Sequence, residues 1–571
     1  MSPLRASDWI TSRMALALTL VLYLVIVFLT FNQIEEDAFI YLRLAANLGA
    51  GHGYVFNVGG EVIESGSSLL WQLMLVPLAW LPLDPIISLK LLGIAFGGLA
   101  ILLTHAISRL LISDPVLRAC PSLLLAVSVP FYCWSQRGLE SPFYLCALLA
   151  LCLVYMHERA REHWYLVAAV VFCARPEGFV ILVAPIACML AWRASIPHFW
   201  RGFAILGVVG VGVTLGRLAY FHDPFPHPFY IKAAGDAGLA RAALPEYFRF
   251  NALALLAIPL LIGLSRRPFW NRRLTVVLSL LVVTGLWAFA TADLKPYHRH
   301  ILPLLPFFYL ASIASLELWT ERRAFRMGVR VAVPVFAVAM LTLSPLGERG
   351  VAQPNLFTRA ASAALQHPLA YAASIGQLLV DPSESFIYSV GSPFQYSTIN
   401  TNYQATTGKF LRDNYPQNIT IVYDQMGQTP WYAGADKVMI DSFGLLSKNA
   451  GYYAFTRRAD QSRLLSSYQG VMVWLAQQLW PDEQRAVEDA DALDAVFERR
   501  PELILVNSFV TQSLPEGLTA RIARDPRIAS DYELAYIVNR IVRIYERKDI
   551  YSPDRTRVPR GAIVRNLAAV E

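Results

Sequence analysis

Residues Phe31–Trp71, FNQIEEDAFIYLRLAANLGAGHGYVFNVGGEVIESGSSLLW, decide how the rest of the chain is read. They follow a long apolar run, so they emerge directly from a membrane span. Three consecutive carboxylates come first, Glu35, Glu36 and Asp37. An amphipathic helical pattern follows through Phe39, Leu42, Leu44 and Leu48, with Arg43 and Asn47 among its polar positions. The Gly-rich turn GAGHGY (Gly49 to Tyr54, containing His52) and a Gly/Ser-rich run around Glu64 close the stretch. Acids set just outside a bilayer beside apolar surface point to work on charged species there. The plain alternative is a solvated loop that shields a helix end.

The 571 residues are 55% hydrophobic with a mean hydropathy of +0.42, which defines an integral membrane protein with room for one further domain. The net charge of +7 does not indicate nucleic acid, because the basic residues are dispersed through short loops. The positive-inside rule accounts for them. All six cysteines (120, 133, 146, 152, 173 and 188) fall in or beside apolar segments, at spacings that make neither a metal site nor a disulfide framework. The first apolar run lacks a small-residue cleavage site and reads as an uncleaved span.

Apolar runs place about eleven spans at 12–32, 86–108, 120–135, 140–157, 164–174, 178–192, 202–221, 250–265, 274–291, 298–319 and 329–346. A further run, 67–83, is ambiguous, and charge decides it. If it lies along the surface, five connections fall on the cytoplasmic side with the N-terminus. They carry Arg109 and Arg118, Arg159 and Arg161, Arg193 and Arg201, Arg266 to Arg273, and Arg322 to Arg330. If it crosses, every cluster moves outside, against the positive-inside pattern. Trp71 and Trp80 also suit an interfacial segment.

This topology puts the unusual polar motifs on the outer face. They are SQRGLES (Ser135 to Ser141), ARPEG (Ala174 to Gly178), HDPFPHPFYIK (His222 to Lys232) and DLKPYHRH (Asp293 to His300). The Gly-x-Gly run in Gly207 to Gly216 sits inside an apolar span and reads as helix packing; no Walker or dinucleotide motif is present. The expected division is a membrane domain at 1–346, whose first external loop is 33–85, and an extracytoplasmic α/β domain at 347–571. In the tail, strand-like runs at 384–390, 418–424, 437–441 and 502–508 alternate with helical patterns at 357–380 and 482–499. The fold class is an α-helical polytopic membrane protein with a C-terminal α/β domain, in a bacterial inner membrane with a cytoplasmic N-terminus.

These residues suit displacement of a phosphate leaving group by a hydroxyl. Glu36 or Asp37 takes the proton as the acceptor oxygen attacks. Arg175, Lys232, His298 and Arg299, with His227 and Glu140, form the donor phosphate and sugar site, arginine being favoured for bidentate geometry. Plain readings stand beside these. Arg299 and His298 would snorkel at a span end, Arg175 and Glu177 would form a salt-bridged helix break, and Glu140 would cap a helix. No cofactor is required. Asp37, Glu36 and Asp293 are the residues a divalent cation would use, but nothing in their spacing demands one.

The stretch EEDAFIYLRLAANLGAGHGYVFN…GEVIESGSSLLW resembles the DDAFI-Y-R-ANL-GHG-VFNPGE-VEGYTSPLW pattern of GT-C glycosyltransferases related to the mycobacterial terminal arabinofuranosyltransferase. GLESP, ARPEG, PHPFYIK and YHRHILPLLP resemble that family's GLETP, RPEG, PNTFYAK and FYRYLLPLLP. Tyr423 to Ser447, YDQMGQTPWYAGADKVMIDSFGLLS, is similar to its YDAGALPYYAG-VIDLLGL stretch. The resemblance implies an inverting transferase acting at the outer face, with juxtamembrane helices in the first loop. It implies a polyprenyl-phosphate sugar donor (best guess arabinofuranose) and an envelope glycan or glycoprotein acceptor. Glu36 and Asp37 match the acidic pair; Glu36 stands where Asp is usual, which favours Asp37 as base. Arg43, His52 and Glu64, with Trp431 and Tyr432 of the tail, are the residues expected at the acceptor. The SGSS in place of GYTS and Gln425 in place of Ala leave the sugar and acceptor open, and mannose or glucose donors are alternatives. A flippase of lipid-linked sugars is the competing class, and would need polar residues near the midplane of several spans. A non-catalytic assembly protein is the third.

Overall fold

The computed structural model describes residues 6–31, 33–157, 160–191, 198–233, 245, 247–249, 251, 253–266, 270–290, 296–319, 323–343, 356–380, 388–389, 403–451, 453, 468–479, 489–550, 563–565 and 569–570. Contacts divide the chain into two compact units. Unit 1 comprises Met1–Gln33, Ile87–Val213 and Ala237–Gly376; unit 2 comprises Ile34–Ile86, Thr214–Asp236 and Gln377–Glu571. The second unit thus gathers most of the stretch 33–85, the stretch around His222–Lys232 and the tail.

Unit 1 is helical. Among the described residues, five helices are long and apolar enough to cross a membrane: Ile10–Leu29, Pro85–Leu111, Phe199–Phe221, Arg272–Ala290 and Ala324–Leu343. Shorter apolar helices include Leu117–Val127, Ser141–Met156, Trp164–Ala174, Ala254–Leu264 and Leu305–Glu317. The expectation of about eleven spans therefore resolves into five helices of crossing length and a set of shorter ones. The run at 120–135 is a particular departure. It breaks into Cys120–Val127 and Val129–Trp134, with Ser128 extended between them. Pro130 has no N–H to continue the ladder, so the helix restarts around it. The Ser128 hydroxyl donates to Leu124 O at 2.6 Å and also bonds the Tyr309 hydroxyl at 2.8 Å, which satisfies polar groups at the break.

Close packing in this unit depends on small residues. A Cβ on Gly97 would collide with the Tyr23 hydroxyl and Ser135 Oγ. Tyr23 in turn donates to Ile94 O at 3.1 Å and packs 5.5 Å from the Phe131 ring. Elsewhere Glu317 accepts the main-chain N–H groups of Ser113 and Asp114, and Arg330 pairs with Asp114 at 2.7 Å.

Unit 2 is built on a seven-stranded mixed sheet. Its strands are β1 (Thr420–Tyr423), β2 (Val438–Asp441), β3 (Leu503–Asn507), β4 (Tyr532–Val538), β5 (Val542–Arg547), β6 (Ile563–Arg565) and β7 (Ala569–Val570). The order is β2-β1-β3-β5-β4-β6-β7. Strand β1 runs parallel to both β2 and β3, whereas β5 is antiparallel to β3 and β4. Both faces are covered, as a largely parallel segment requires. Ile421, Tyr423, Leu503 and Leu505 pack with Phe410 and Leu411 of the Tyr403–Asn414 helix. Val422, Ile440, Ile504 and Val506 pack with Phe497 and Ile522 on the other face.

The runs expected at 418–424, 437–441 and 502–508 are β1, β2 and β3. Of the run expected at 384–390, residues 384–387 and 390 lie outside the described residues. The helix expected at 357–380 is two helices, Leu356–Gln366 and Pro368–Val380. Part of the 482–499 pattern is the helix Asp489–Phe497, and 482–488 lie outside the described residues. The 67–83 run forms Leu69–Leu75 and a 3-10 turn Val76–Trp80. Trp71, Gln72 and Leu75 are buried while Leu73 and Trp80 are exposed, giving the run two chemically distinct sides.

Candidate active site

The acidic stretch opens a helix, Glu36–Gly49, with extended Glu35 as its N-cap residue. Glu36 and Asp37 sit in its first turn, where the helix dipole favours negative charge. Glu36 Oε1 accepts the main-chain N–H of Gly427 at 2.5 Å, a charge-assisted bond. Glycine is required at 427, because a Cβ would strike the main-chain oxygen and carboxylate of Glu36. Asp37 is half-buried, one position along the helix.

Arg43 fastens the same helix to the tail. Its guanidinium donates to Phe56 O (2.9 Å), Pro430 O (3.1 Å) and Lys437 O (3.2 Å) and lies 4.4 Å from the Phe56 ring. Asn47 adds bonds to Val55 O and Phe56 O, while Asn57 pairs in both directions with the Met439 backbone. Arg43 is buried and spends its donors on carbonyls, so the structure gives it a framework position. His52 is exposed in its turn. Phe39 brings its ring within 6.2 Å of Trp431 and 5.9 Å of Tyr432. Trp431 is half-buried and Tyr432 buried.

Glu64 is buried and holds Arg217 with both oxygens, at 2.7 and 2.9 Å. Burial pushes its carboxyl up, and the Arg217 guanidinium pulls it back. Glu64 O also accepts the His227 main-chain N–H at 2.9 Å, and His227 Nε2 lies 3.2 Å from Ser447 O. Glu64 and His227 are thereby brought together with Arg217, as a strut within unit 2.

Three side chains mark the carboxyl ends of the parallel strands: Asp424 just after β1, Asp441 at the end of β2 and Asn507 at the end of β3. Asp441 accepts the N–H groups of Phe443 and Leu446, both at 2.7 Å. Burial pushes its carboxyl up to about 6 against the pull of those donors. Asp424 is pushed further, to about 8, by burial and by Asp441.

The remaining expected residues lie in unit 1, apart from Lys232. Arg175 is paired with both Glu140 and Glu177, and its guanidinium lies 5.8 Å from the Tyr144 ring and 5.6 Å from the Trp287 ring. The salt-bridged reading of ARPEG is thus the arrangement seen, and it absorbs Glu140 as well. Arg299 is buried, 5.5 Å from the Trp134 ring. Arg137 approaches the same ring at 5.1 Å. Lys90 donates to Gln136 O at 3.0 Å, lies 4.7 Å from the Phe31 ring, and is close enough to Arg137 for their charges to repel. The side chains of Lys232 and His298, and all of Asp293, lie outside the described residues. Among the described residues, no group of three or more His, Cys, Asp or Glu could hold a metal ion.

Solved structures share this architecture. ArnT from Cupriavidus metallidurans, in the crystal structure bound to undecaprenyl phosphate, matches with a TM-score of 0.51 at 13% identity, over 96% of this chain and 100% of that one. The Archaeoglobus fulgidus oligosaccharyltransferase in its apo form also scores 0.51, at 10% identity, over 95% of this chain and 75% of that one. The chain has the GT-C glycosyltransferase fold. A mycobacterial arabinofuranosyltransferase, AftD, aligns over 95% of this chain and 40% of its own at 15% identity and a TM-score of 0.45. Residues 395–556 match a family model described as a domain of unknown function (DUF8728). No curated protein matches the chain in sequence. With five helices of crossing length among the described residues, the chain is a multi-pass membrane protein.

Reading the sequence for GT-C motifs missed Lys90, Arg137, Arg217 and Asp424. Lys90 and Arg217 lie inside apolar runs, where a cation is costly unless it is partnered or functional, and that cost was the available signal. Arg137 stands inside the quoted SQRGLES motif, and Asp424 inside the tail motif.

Proposed function

We propose that this protein is an inverting glycosyltransferase that moves a sugar from a polyprenyl-phosphate donor to a hydroxyl of an envelope glycan or glycoprotein at the outer face of the membrane. One observation carries the reading: two carboxylates, Glu36 and Asp37, share the first turn of the Glu36–Gly49 helix, where Glu36 accepts the Gly427 N–H. Asp37 is the proposed base, as the sequence motif favours. As the acceptor oxygen bonds to the anomeric carbon, Asp37 takes the hydroxyl proton. The bond from that carbon to the phosphate oxygen breaks, and its electron pair leaves with the polyprenyl phosphate. Attack from the face opposite the leaving group inverts the centre.

The phosphate role passes from Arg175, which is already paired with two carboxylates, to Lys90, Arg137 and Arg299. These buried cations offer charge-assisted donors in a low-dielectric interior. At the acceptor, Trp431 and Tyr432 are the stacking residues, whereas Arg43 and Glu64 hold the framework. Arabinofuranose is the proposed sugar on the strength of the sequence motifs, and the undecaprenyl phosphate bound by ArnT supports a lipid phosphate as carrier.

The test is transfer from synthetic polyprenyl-phosphoryl arabinofuranose to an arabinoside, with mannosyl and glucosyl lipid phosphates in parallel. Asp37→Asn is expected to lose about 10²–10⁴-fold in rate, the range for removing a general base, with its melting temperature retained. Glu36→Gln is expected to lose less. Full activity in Asp37→Asn would sink the assignment of the base, and silence with every lipid donor would favour the flippase reading. Turnover with mannosyl or glucosyl phosphates alone would replace the sugar and keep the mechanism.

A further inference from the structure

In unit 2, beyond the carboxylates of the first loop, the carboxyl end of the parallel strands holds a group of buried polar atoms that the described residues satisfy only in part. Among the described residues, both amide atoms of Gln428 and Gln404 Oε1 have no hydrogen-bond partner; both carboxylate oxygens of Asp424 and the Tyr423 hydroxyl meet none in good geometry, although Gln425 and Thr519 lie close to Asp424 and Thr429 lies close to Tyr423. Asp424 is 3% exposed and Gln428 is 0% exposed. Buried polar groups are normally paired, because leaving them unmet forfeits their hydration.

The groups are neighbours. Gln404 Nε2 donates to Gln425 Oε1 at 2.9 Å, and Thr429 Oγ1 donates to Gln404 O at 3.0 Å, which ties the Tyr403–Asn414 helix to the 424–429 segment. Tyr423 is close enough to Asp424 and Glu36 for their charges to disfavour its phenolate. The same segment delivers the Gly427 N–H to Glu36. In open sheets the crevice outside the carboxyl ends of parallel strands is the usual place for a ligand.

We propose that Asp424, Gln428, Gln404 and Tyr423 form a subsite for a neutral, hydroxyl-rich ligand, the terminal sugar of the acceptor. The chemistry selects that class. Two amides and a phenol give and take hydrogen bonds without net charge. The carboxyl of Asp424 is held protonated near neutral pH by burial, so it adds a donor. None of the four is a cation, and Glu36 lies nearby, so a phosphate or other anion is disfavoured. The inference rests on the transferase reading for the identity of the ligand, not for the existence of the subsite.

The test uses the full chain in nanodiscs and needs no turnover. Saturation-transfer NMR is run with an α-arabinofuranosyl disaccharide, an α-mannosyl disaccharide and inorganic phosphate, on wild type and on Gln428→Leu and Asp424→Asn. The expected result is saturation of a sugar and none of phosphate. Its Kd is expected to rise at least tenfold in Gln428→Leu and severalfold in the conservative Asp424→Asn. Affinity for polyprenyl phosphate should stay unchanged, and neither variant should melt below the wild type. In turnover, the acceptor KM should rise while the donor KM does not. Unaltered sugar affinity in folded variants, no sugar signal in wild type, or displacement of the sugar by phosphate each overturns the subsite. If no lipid donor supports transfer while sugar binding and its loss in the variants persist, the transferase reading fails and the subsite stands.

Discussion

Arg175 and Arg137 are both buried in unit 1, at 5% and 0% exposure, yet they keep opposite company. Arg175 is held by two carboxylates, Glu140 and Glu177. Arg137 shares the Trp134 ring with Arg299 and feels the repulsion of Lys90. On the reading proposed above, the sign of the surrounding charge, and not depth of burial, separates a structural charge from one that holds a ligand. A cation between two acids is satisfied within the fold, whereas a gathering of cations in a low-dielectric interior is stabilised by binding an anion.

The largest effect is expected at Arg175. Arg175→Met leaves Glu140 and Glu177 buried without their shared partner, which is expected to cost about 3–5 kcal/mol. The readout is the melting temperature and the yield of monodisperse protein in detergent. Adding Glu140→Gln and Glu177→Gln to that variant should restore much of the loss. If Arg175→Met folds normally and instead loses lipid-phosphate affinity, the two arginines have been assigned the wrong way round.

A smaller effect of the opposite kind is expected at the other cluster. Lys90→Met or Arg137→Leu removes a charge-assisted hydrogen bond worth about 1.5–3 kcal/mol, roughly a tenfold to hundredfold loss in polyprenyl-phosphate affinity. Stability should hold or rise, because a like-charge repulsion goes with the side chain. Binding of a fluorescent lipid phosphate, followed beside the melting temperature, checks both halves. A drop in stability with unchanged affinity would place these cations with Arg175 as framework.

The sequence made some of this plain. Hydropathy located the helices, because a run of apolar residues in lipid has little choice but to satisfy its backbone internally. It did not foresee the break at Ser128, where Pro130 acts inside a run that is otherwise apolar throughout. In the tail, the apolar runs of β1, β2 and β3 were legible, whereas the β4–β5 hairpin was not. A bulge between Leu534 and Tyr536 interrupts its alternation. Its turn places both Asn539 and Arg540 at positive φ, the type I′ geometry that an Asn-Gly pair would have announced. The acids of the first loop were visible as a motif, but their partners were not. Gly427 is 391 positions from Glu36 in the chain, a pairing that no local pattern encodes.

The last expected effect concerns Asp424, whose charge state distinguishes the tail subsite from the cation cluster. Burial and Asp441 push its carboxyl up to about 8 from an ordinary value of 3.8, so between those limits the folded state holds a proton that the unfolded state has released. Stability therefore falls as pH rises from about 4 to about 8 and is flat beyond, the reverse of a salt-bridged carboxylate. Asp424→Asn removes that slope. The variant should match wild type near pH 4 and melt higher than wild type at pH 8 and above. Asp441, Tyr403 and Tyr423 are titratable groups whose charges interact with this carboxyl, and Asp441, pushed up to about 6, contributes a slope of the same sign that the variant retains. Thermal melts in nanodiscs between pH 4 and 9 measure the difference. Parallel curves for the two proteins would mean that Asp424 is ionised in the folded state, and the subsite would then present a charge in place of a donor.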